Sequence, residues 1–320
     1  MDVIALRPEW LPLTYQYFLT LPYYPTDWDL DLSREQHAKL NLHYVTQDLN
    51  RLEGLAAVEN DRVKGVIVFG DHEWNSRFFE TKCGQITHFF ADGKDAATAL
   101  AEATARRLVE QRYQHVYIAL DVRGRWESHA LQRTGWRVIW ANVKIVCDLR
   151  DVDISQIPTK AGDLEVVKFE DRHLPALLEI AGRLTDYSWL QWEEKLRFEH
   201  RNTYIRKLTE TCCTTDFSPL TYTLLKAGAP IGHISSRLCQ YPPELGGTKF
   251  TSRRNIFIDP AVQSAGYGRF LGGANSRFDK PHATYATARA RLEGAAALRM
   301  VASLGYQDRG GELYHVFDGK

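Results

Sequence analysis

Two stretches of the chain repeat one order of apolar and polar positions. Gly54–Gly70, GLAAVENDRVKGVIVFG, runs apolar, polar, apolar and predicts strand, turn, strand. Pro219–Leu238, PLTYTLLKAGAPIGHISSRL, reads the same way, and each hairpin carries a glycine on its second strand, Gly65 and Gly232. Helical spacing follows in each half, at Asp95–Gln111 and at Tyr267–Phe278, and then a strand, at His115–Asp121 and at His282–Ala288. Each half closes on a short helix, a Gly-aromatic pair and a last strand, within Ser128–Leu149 and Ala296–Phe317. Gly135–Trp136 and Gly305–Tyr306 suit helix C-caps, where glycine takes the left-handed conformation cheaply. Recurrence of the hairpin and cap glycines at nearly the same offset points to a tandem duplication.

The halves meet in RDVDISQIPTKAGD, Arg150–Asp163, which is polar and lacks a long apolar period. The expected domains are residues 1–155 and 156–320, the first with an aromatic-rich extension that is helical around Ser33–Leu52. After the boundary a strand leads into a helix whose Leu174, Leu177, Leu178 and Leu184 share a face. Strands and helices mixed throughout predict an α/β (α+β) fold.

Composition narrows the function. A length of 320 residues fits two domains, and 44% hydrophobic with 25% charged residues is ordinary globular usage. Forty basic and forty acidic residues cancel, which disfavours a duplex-binding surface, so no nucleic-acid partner is expected. Five cysteines without a C-x-x-C pair read as reduced thiols, and the start of the chain is no secretory signal. With no long apolar run, no membrane partner is expected and the cytoplasm is the expected location.

The segment richest in chemistry is Asn255–Ala274, NIFIDPAVQSAGYGRFLGGA. An apolar strand runs through Asp259–Pro260 into a glycine loop and a helix, which is the recipe for an anion site: free N–H groups and the helix dipole both favour negative charge. Gly266 and Gly268 are expected to let a phosphate approach the backbone. A dinucleotide fingerprint would need a third glycine where Leu271 stands, and a Walker loop would need Gly-Lys-Ser/Thr where the chain has Gly268–Arg269. The pattern Q-x-x-G-x-G is complete in Gln263, Gly266 and Gly268.

That loop resembles the acyl-coenzyme A pyrophosphate loop of the Gcn5-related N-acetyltransferase (GNAT) superfamily, and the element order around it agrees from about residue 163 to the end. A narrower resemblance is to dTDP-fucosamine acetyltransferases. It rests on Trp74, Asn75, Phe78 and Phe79, on Leu131, Gln132, Gly135 and Trp136, and on Ala296, Ala297, Leu298, Arg299, Gly305 and Tyr314. The resemblance implies two tandem GNAT-like domains with mixed, mostly antiparallel sheets. It further implies transfer of an acyl group from acetyl-CoA or another acyl-CoA to an amine, an aminosugar or another small molecule. The implied cofactor contacts are Gln263, Ser264, Ala265, Gly266, Tyr267, Gly268 and Arg269, with a backbone N–H around Phe257 or Ile258 for the thioester carbonyl.

Departures from the family matter. Val301 stands where the family has the tyrosine that protonates the thiolate, and Gly294 aligns near a cofactor-holding asparagine. Tyr285, Tyr306 and Tyr314 are then the candidate acids in the second domain, and a coenzyme A binder without turnover is the alternative reading. The first half has no glycine loop beyond Gly93 and is not expected to bind coenzyme A. His233, in line with Ser235 and Arg237, reads as a satisfied strand histidine. His37 and His43 lack a carboxylate at ligand spacing, so no metal is expected. Glu193–Glu194 reads as part of a solvated helix face; the aromatic extension reads as packing, with a cleft lining or a homodimer interface as its other uses.

Overall fold

A computed structural model describes residues 1–24, 32–184, 194–214, 216, 218–292 and 294–319, with backbone only for 194–202. It has two compact units. The first takes residues up to Asn142 together with Gly310–Lys320; the second takes Val143–Leu190 and Arg197–Arg309. A single cut at 155/156 therefore does not separate them: the chain's last strand returns to the first unit.

The first unit runs β1 (Asp2–Ala5), α1 (Leu11–Thr20), α2 (Arg34–Leu49), β2 (Glu53–Glu59), β3 (Arg62–Asp71), α3 (Glu73–Phe79), β4 (Cys83–Ala91), α4 (Lys94–Glu110), β5 (His115–Asp121), α5 (Arg125–Arg133) and the start of β6 (Arg137–Asp148). The second runs β7 (Lys160–Ala161), β8 (Leu164–Lys168), α6 (Leu174–Arg183), α7 (Glu194–Thr214), β9 (Leu220–Lys226), β10 (Ala229–Gln240), β11 (Lys249–Ile258), α8 (Tyr267–Asp279), β12 (Tyr285–Arg291), α9 (Ala295–Ala302) and the start of β13 (Gln307–Asp318). In the first unit strands β1 to β5 lie in sequence order, and Glu312–Asp318 of β13 pairs antiparallel with β5. In the second the order outward from β12 is β12-β11-β10-β9-β8-β7. Both sheets are antiparallel except for one parallel pair each, β4 with β5 and β11 with β12.

Local chemistry explains the repeated elements. Both predicted hairpins form, and both turn on two left-handed residues, Asn60–Asp61 (φ 50° and 58°) and Ala227–Gly228 (φ 47° and 84°). Such turns match the strands' own twist. Gly135 and Gly305 take φ 93° and 82° beyond α5 and α9, as helix C-caps do. Ser33 caps α2 in a reciprocal box with Gln36. The strand expected at His282–Ala288 begins three residues later, at Tyr285, because the turn after α8 takes up Pro281 and His282.

The hairpin glycines are where the next strand comes close. A Cβ on Gly65 would lie 2.8 Å from the Phe90 carbonyl oxygen, and one on Gly232 would lie 3.0 Å from that of Phe257. Gly65→Ala is therefore expected to cost about 1–3 kcal/mol, because backbone has to shift; urea unfolding of the full chain measures it.

Each unit has its own core. In the first, α4 packs Ala97, Leu100 and Leu108 against Ile67 and Phe69 of β3 and Val116 and Ile118 of β5. In the second, α8 packs Leu271 and Ala274 against Leu224, Ile234 and Ile258. The N-terminal extension packs as expected: Tyr17, Phe18 and Tyr24 are buried with Val66, Val68 and Phe90. Among the described residues no helix is long and apolar enough to cross a membrane.

Candidate functional site

The site begins with how two parallel strands part. β11 and β12 pair only at Phe250↔Tyr285, Thr251↔Ala286 and Ser252↔Thr287. Beyond Ser252 and Thr287 they diverge, and a cavity of about 790 Å³ opens between Arg253–Ile256 on one side and Ala288–Arg291 on the other. α9 contributes Ala295, Ala296, Ala297, Met300 and Val301 to its wall, and Ile145, Gly294 and Gln263 complete it. Val301 and Gly294, the two departures from the family pattern, thus both face the cavity.

A β-bulge shapes its β11 wall. Ser235 faces Asn255 and Ser236 faces Arg253, so Arg254 is the extra residue. Below the bulge Thr251 and Arg253 point toward α8: Thr251 donates to Asp279 at 2.9 Å, and Arg253 donates to the Gly272 carbonyl and Ser276. Above it Asn255 points to α7, donating to Thr209 at 3.0 Å. Ile256 and Ile258 pack back toward α8.

The open edge of β11 presents backbone to the cavity. Asp259 N–H donates to Ile231 on β10 at 2.8 Å. Alternation along an antiparallel pair then turns the N–H of Phe257 toward β10 and those of Ile256 and Ile258 toward the open edge. Of the two residues named for a carbonyl donor, Ile258 turns its N–H to the open edge and Phe257 turns its N–H to β10. Phe257 is buried with Leu177, Ile180 and Ile205 and tilts against His233.

The glycine loop follows directly. Asp259 accepts from Ala261 N–H and pairs with Arg183 at 2.9 Å, which fixes the start of the loop. Gln263 reaches back and donates to the Ile258 carbonyl at 3.1 Å, tying the loop to the open edge. Ser264 (φ 69°) and Gly266 (φ 80°) are both left-handed, and Gly266 caps α8. Ser264, Ala265, Gly266 and Arg269 are exposed, and Tyr267 and Gly268 half-buried, at the first turn of a 13-residue helix. Left-handed residues at the mouth of a helix gather N–H groups into an anion-binding concavity.

The two glycines meet different surroundings. Nothing lies within 4 Å of a Cβ on Gly266, so its requirement is the positive φ. A Cβ on Gly268 would lie 3.1 Å from Met300 Sδ, so that glycine lets α8 approach α9.

The three candidate tyrosines do not line the cavity. Tyr285 stands at the paired end of β12 and receives a hydrogen bond from Arg150 at 2.8 Å. Tyr306 is buried under the Arg253 guanidinium, 4.7 Å from ring to cation, and burial pushes its phenol far up. Tyr314 lies in the first unit, on the part of β13 paired with β5, against Trp140. It was expected in the second domain; the returning last strand carries it away.

Other singled-out residues resolve simply. His233 is buried and burial lowers its pKa to about 3, so it is neutral; its Nε2 finds no partner among the described residues, unlike the satisfied histidine expected. His37 stacks on Tyr24. No cluster of metal-ligating side chains occurs among the described residues. Burial raises the thiols of Cys83 to about 12 and Cys147 to about 11, so neither is a ready nucleophile. Glu193 and the Glu194 side chain lie outside the described residues.

The first unit treats the same topology differently. β4 and β5 pair only at Cys83↔His115, Gly84↔Val116 and Gln85↔Tyr117. From α5 the Glu127 carboxyl reaches β4 and accepts from Ala91 N–H at 2.9 Å. The link from β4 to α4 is only Asp92 and Gly93, where the second unit has eight residues, and the Asp92 carboxylate pairs with Lys64.

Comparison with solved structures places the architecture. The chain aligns over its whole length with 98% of a tandem GNAT protein from the clavulanic acid biosynthesis pathway, at 12% identity and a TM-score of 0.59. The fold is that of a tandem GNAT protein. A GCN5-related N-acetyltransferase from Sphaerobacter thermophilus aligns over 100% of this chain and 96% of its own at 13% identity and TM-score 0.62. A GCN5-related glucosamine N-acetyltransferase region of a fungal multi-domain β-N-acetylglucosaminidase covers 98% of this chain and 38% of its own, at 13% identity and TM-score 0.63. No protein-family profile and no curated protein matches the sequence.

Proposed function

We propose that the second unit binds an acyl-CoA and transfers its acyl group to an amine. The observation that carries this is a left-handed glycine loop at the N-terminus of α8, opening beside a cavity that passes between two parted parallel strands. Residues 264–269 supply N–H groups for the pyrophosphate, and Arg269 adds a positive charge at its exposed position. The edge of β11 at Ile256 and Ile258 offers extended backbone to the pantetheine amides. One of these N–H groups is placed to stabilise the oxyanion of the thioester carbonyl. When bound, the acyl-CoA supplies the activated carbonyl; the chain's part is to hold it in line with a neutral amine, and positioning of this kind contributes about 7–11 kcal/mol at best.

The acid is the open part of the chemistry. The amine forms the C–N bond, the C–S bond breaks, and the thiolate leaves with a proton from the ammonium, directly or through water. A free thiol has a pKa of about 8.5, which makes the thiolate a tolerable leaving group without a tyrosine. Because none of Tyr285, Tyr306 and Tyr314 reaches the cavity, each tyrosine-to-phenylalanine variant is expected to release thiol within about tenfold of wild type, less than the roughly 10²–10⁴-fold of a general acid. A loss of a hundredfold or more in one variant, with cofactor binding retained, would place the acid there. Val301 at the cavity wall favours the second reading, a protein that binds acyl-CoA without turnover. Thiol release from acetyl-CoA across a panel of amines separates the two.

The first unit, with its two-residue link and the Glu127 bridge, is proposed not to bind the cofactor. Titration calorimetry with acetyl-CoA is expected to give one site per chain, and two sites would overturn this assignment. An aminosugar acceptor, suggested by the residues around Trp74, stays a proposal, as does a place in the cytoplasm.

A further inference from the structure

A second cavity in the same unit, of about 430 Å³, opens between α8, the end of α9 and the segment Val152–Pro158 that joins the two repeats. It shares no lining residue with the cavity between β11 and β12. On α8 its wall is Gly266, Arg269, Phe270, Gly273 and Ser276, a spacing of three and four residues that keeps to one face of the helix. The face starts at the glycine loop, and from Gly266 to Ser276 it runs about 15 Å. Gly273 keeps its middle open: a Cβ there would already lie 3.5 Å from Ile157 and 3.5 Å from Leu304, so a longer side chain would fill the groove. The opposite wall is held by α8 itself. Arg277 donates to the Ile157 carbonyl at 2.7 Å, and Lys280 donates to the Val152 carbonyl at 2.7 Å.

The lining says what fits. The volume is within the range of small-molecule sites, about 300–1,000 Å³. Phe270, Ile157 and Pro158 give it apolar surface, and the Gln156 amide and the Ser303 hydroxyl stand exposed at its rim. Arg269, also exposed, brings a positive charge, and no carboxylate occurs among the described lining residues. The linker's Asp153 is turned to Ser155, whose hydroxyl donates to it at 2.6 Å. Apolar walls, an amide and a cation next to an anion-binding loop suit a phosphorylated purine nucleoside.

We propose that this groove seats the nucleotide end of the acyl donor, an adenosine with a 3′-phosphate, and that the linker between the repeats is therefore part of the cofactor site. This rests on the acyl-CoA reading of the glycine loop. With the diphosphate at residues 264–269, the pantetheine arm enters between β11 and β12, and the nucleoside turns the other way, along α8. The base lies against Phe270, Ile157 and Pro158, and Arg269 faces the 3′-phosphate. The donor is then a complete coenzyme A thioester, and a bare phosphopantetheine thioester, such as a carrier protein presents, is a poor substitute.

The test is calorimetry with coenzyme A, 3′-dephospho-coenzyme A and 4′-phosphopantetheine, which share the thiol arm and lose the nucleotide in two steps. Coenzyme A is expected to bind at least about tenfold more tightly than 4′-phosphopantetheine, the scale of one charged hydrogen bond. Ser303→Trp, at an exposed position, covers the groove. It is expected to bring that ratio to within about threefold, while 4′-phosphopantetheine itself binds within about threefold of wild type, as for an ordinary surface change in a folded protein. Gln156→Lys and Gln156→Glu, also at an exposed position, are expected to raise and lower coenzyme A affinity by about two- to fivefold, the scale of an exposed ion pair, and to move 3′-dephospho-coenzyme A less. Equal binding of coenzyme A and 4′-phosphopantetheine by wild type overturns the proposal. So does an equal loss of both in Ser303→Trp, or an equal response of coenzyme A and its 3′-dephospho form to the two Gln156 variants. If wild type binds neither coenzyme A nor 4′-phosphopantetheine, the acyl-CoA reading has failed. Adenosine 3′,5′-bisphosphate titrated into the free protein then decides the groove by itself: binding that Ser303→Trp removes supports a nucleotide seat, and no binding overturns it.

Discussion

Gly266→Glu is expected to abolish the acyl-CoA binding proposed for the second unit. The residue caps α8 at φ 80°, and every non-glycine side chain pays to adopt that conformation. Space is not the obstacle, because nothing lies within 4 Å of the new Cβ. The carboxylate instead stands at the helix mouth, in the place of the pyrophosphate and with the same sign of charge. Wild type saturated with acetyl-CoA at a hundred times its dissociation constant gains about 2.7 kcal/mol of stability. The variant is expected to gain none, while keeping a folded circular-dichroism spectrum and a melting temperature close to that of the free wild type. Thermal denaturation with and without ligand reads both. A full ligand-induced shift in the variant would remove the loop from the binding site and with it the main support for acyl-CoA recognition.

Asp279 is expected to withdraw stability from the second unit as pH rises through about 4 to 6. The residue stands at the end of α8, and its carboxyl is pushed up to about 6, chiefly by burial. Thr251 at 2.9 Å and Asn275 at 3.1 Å donate to it, and the Arg253 charge pulls the other way without cancelling the burial. Below about pH 4 the group is protonated in both folded and unfolded chains and has no effect. Between 4 and 6 the unfolded chain ionises first, so the folded state is penalised. Above 6 the penalty is complete, about 3 kcal/mol for a shift of roughly two units. Asp279→Asn keeps an acceptor for Asn275 and never ionises. Urea unfolding at pH 4.5 and 7.5 should show a pH-dependent loss in wild type that is largely absent in the variant. Equal slopes in the two proteins would show that Asp279 is not the group responsible.

Much of the fold was legible because it is local. The apolar, polar, apolar runs around Asn60–Asp61 and Ala227–Gly228, the helical period of α4 and α8 and the caps at Gly135 and Gly305 are short-range patterns, and the structure has each of them. The glycine loop was legible for the same reason: the Q-x-x-G-x-G pattern and a helix starting at Tyr267 are written in consecutive residues, while the positive φ at Gly266 is seen only in the structure.

Other features depended on contacts between distant parts of the chain. That Arg254 is an extra residue on β11 appears only when β10 is laid beside it, and the bulge decides which side chains share a face. That Gly268 serves α9 depends on Met300, and that Phe257 turns its N–H away from the open edge depends on Ile231. The tyrosines were candidates on chemistry alone; none lines the cavity, since Tyr285 stands where β12 pairs with β11, Tyr306 is buried against Arg253, and Tyr314 is on the part of β13 paired with β5. Spacing along the sequence determined the elements, the tandem order and the glycine loop of this protein, since each rests on neighbouring residues and their preferred dihedrals. Which side chains meet in the cavity was decided by strand register and by the parting of β11 from β12, because a one-residue change of register moves every following side chain to the other face.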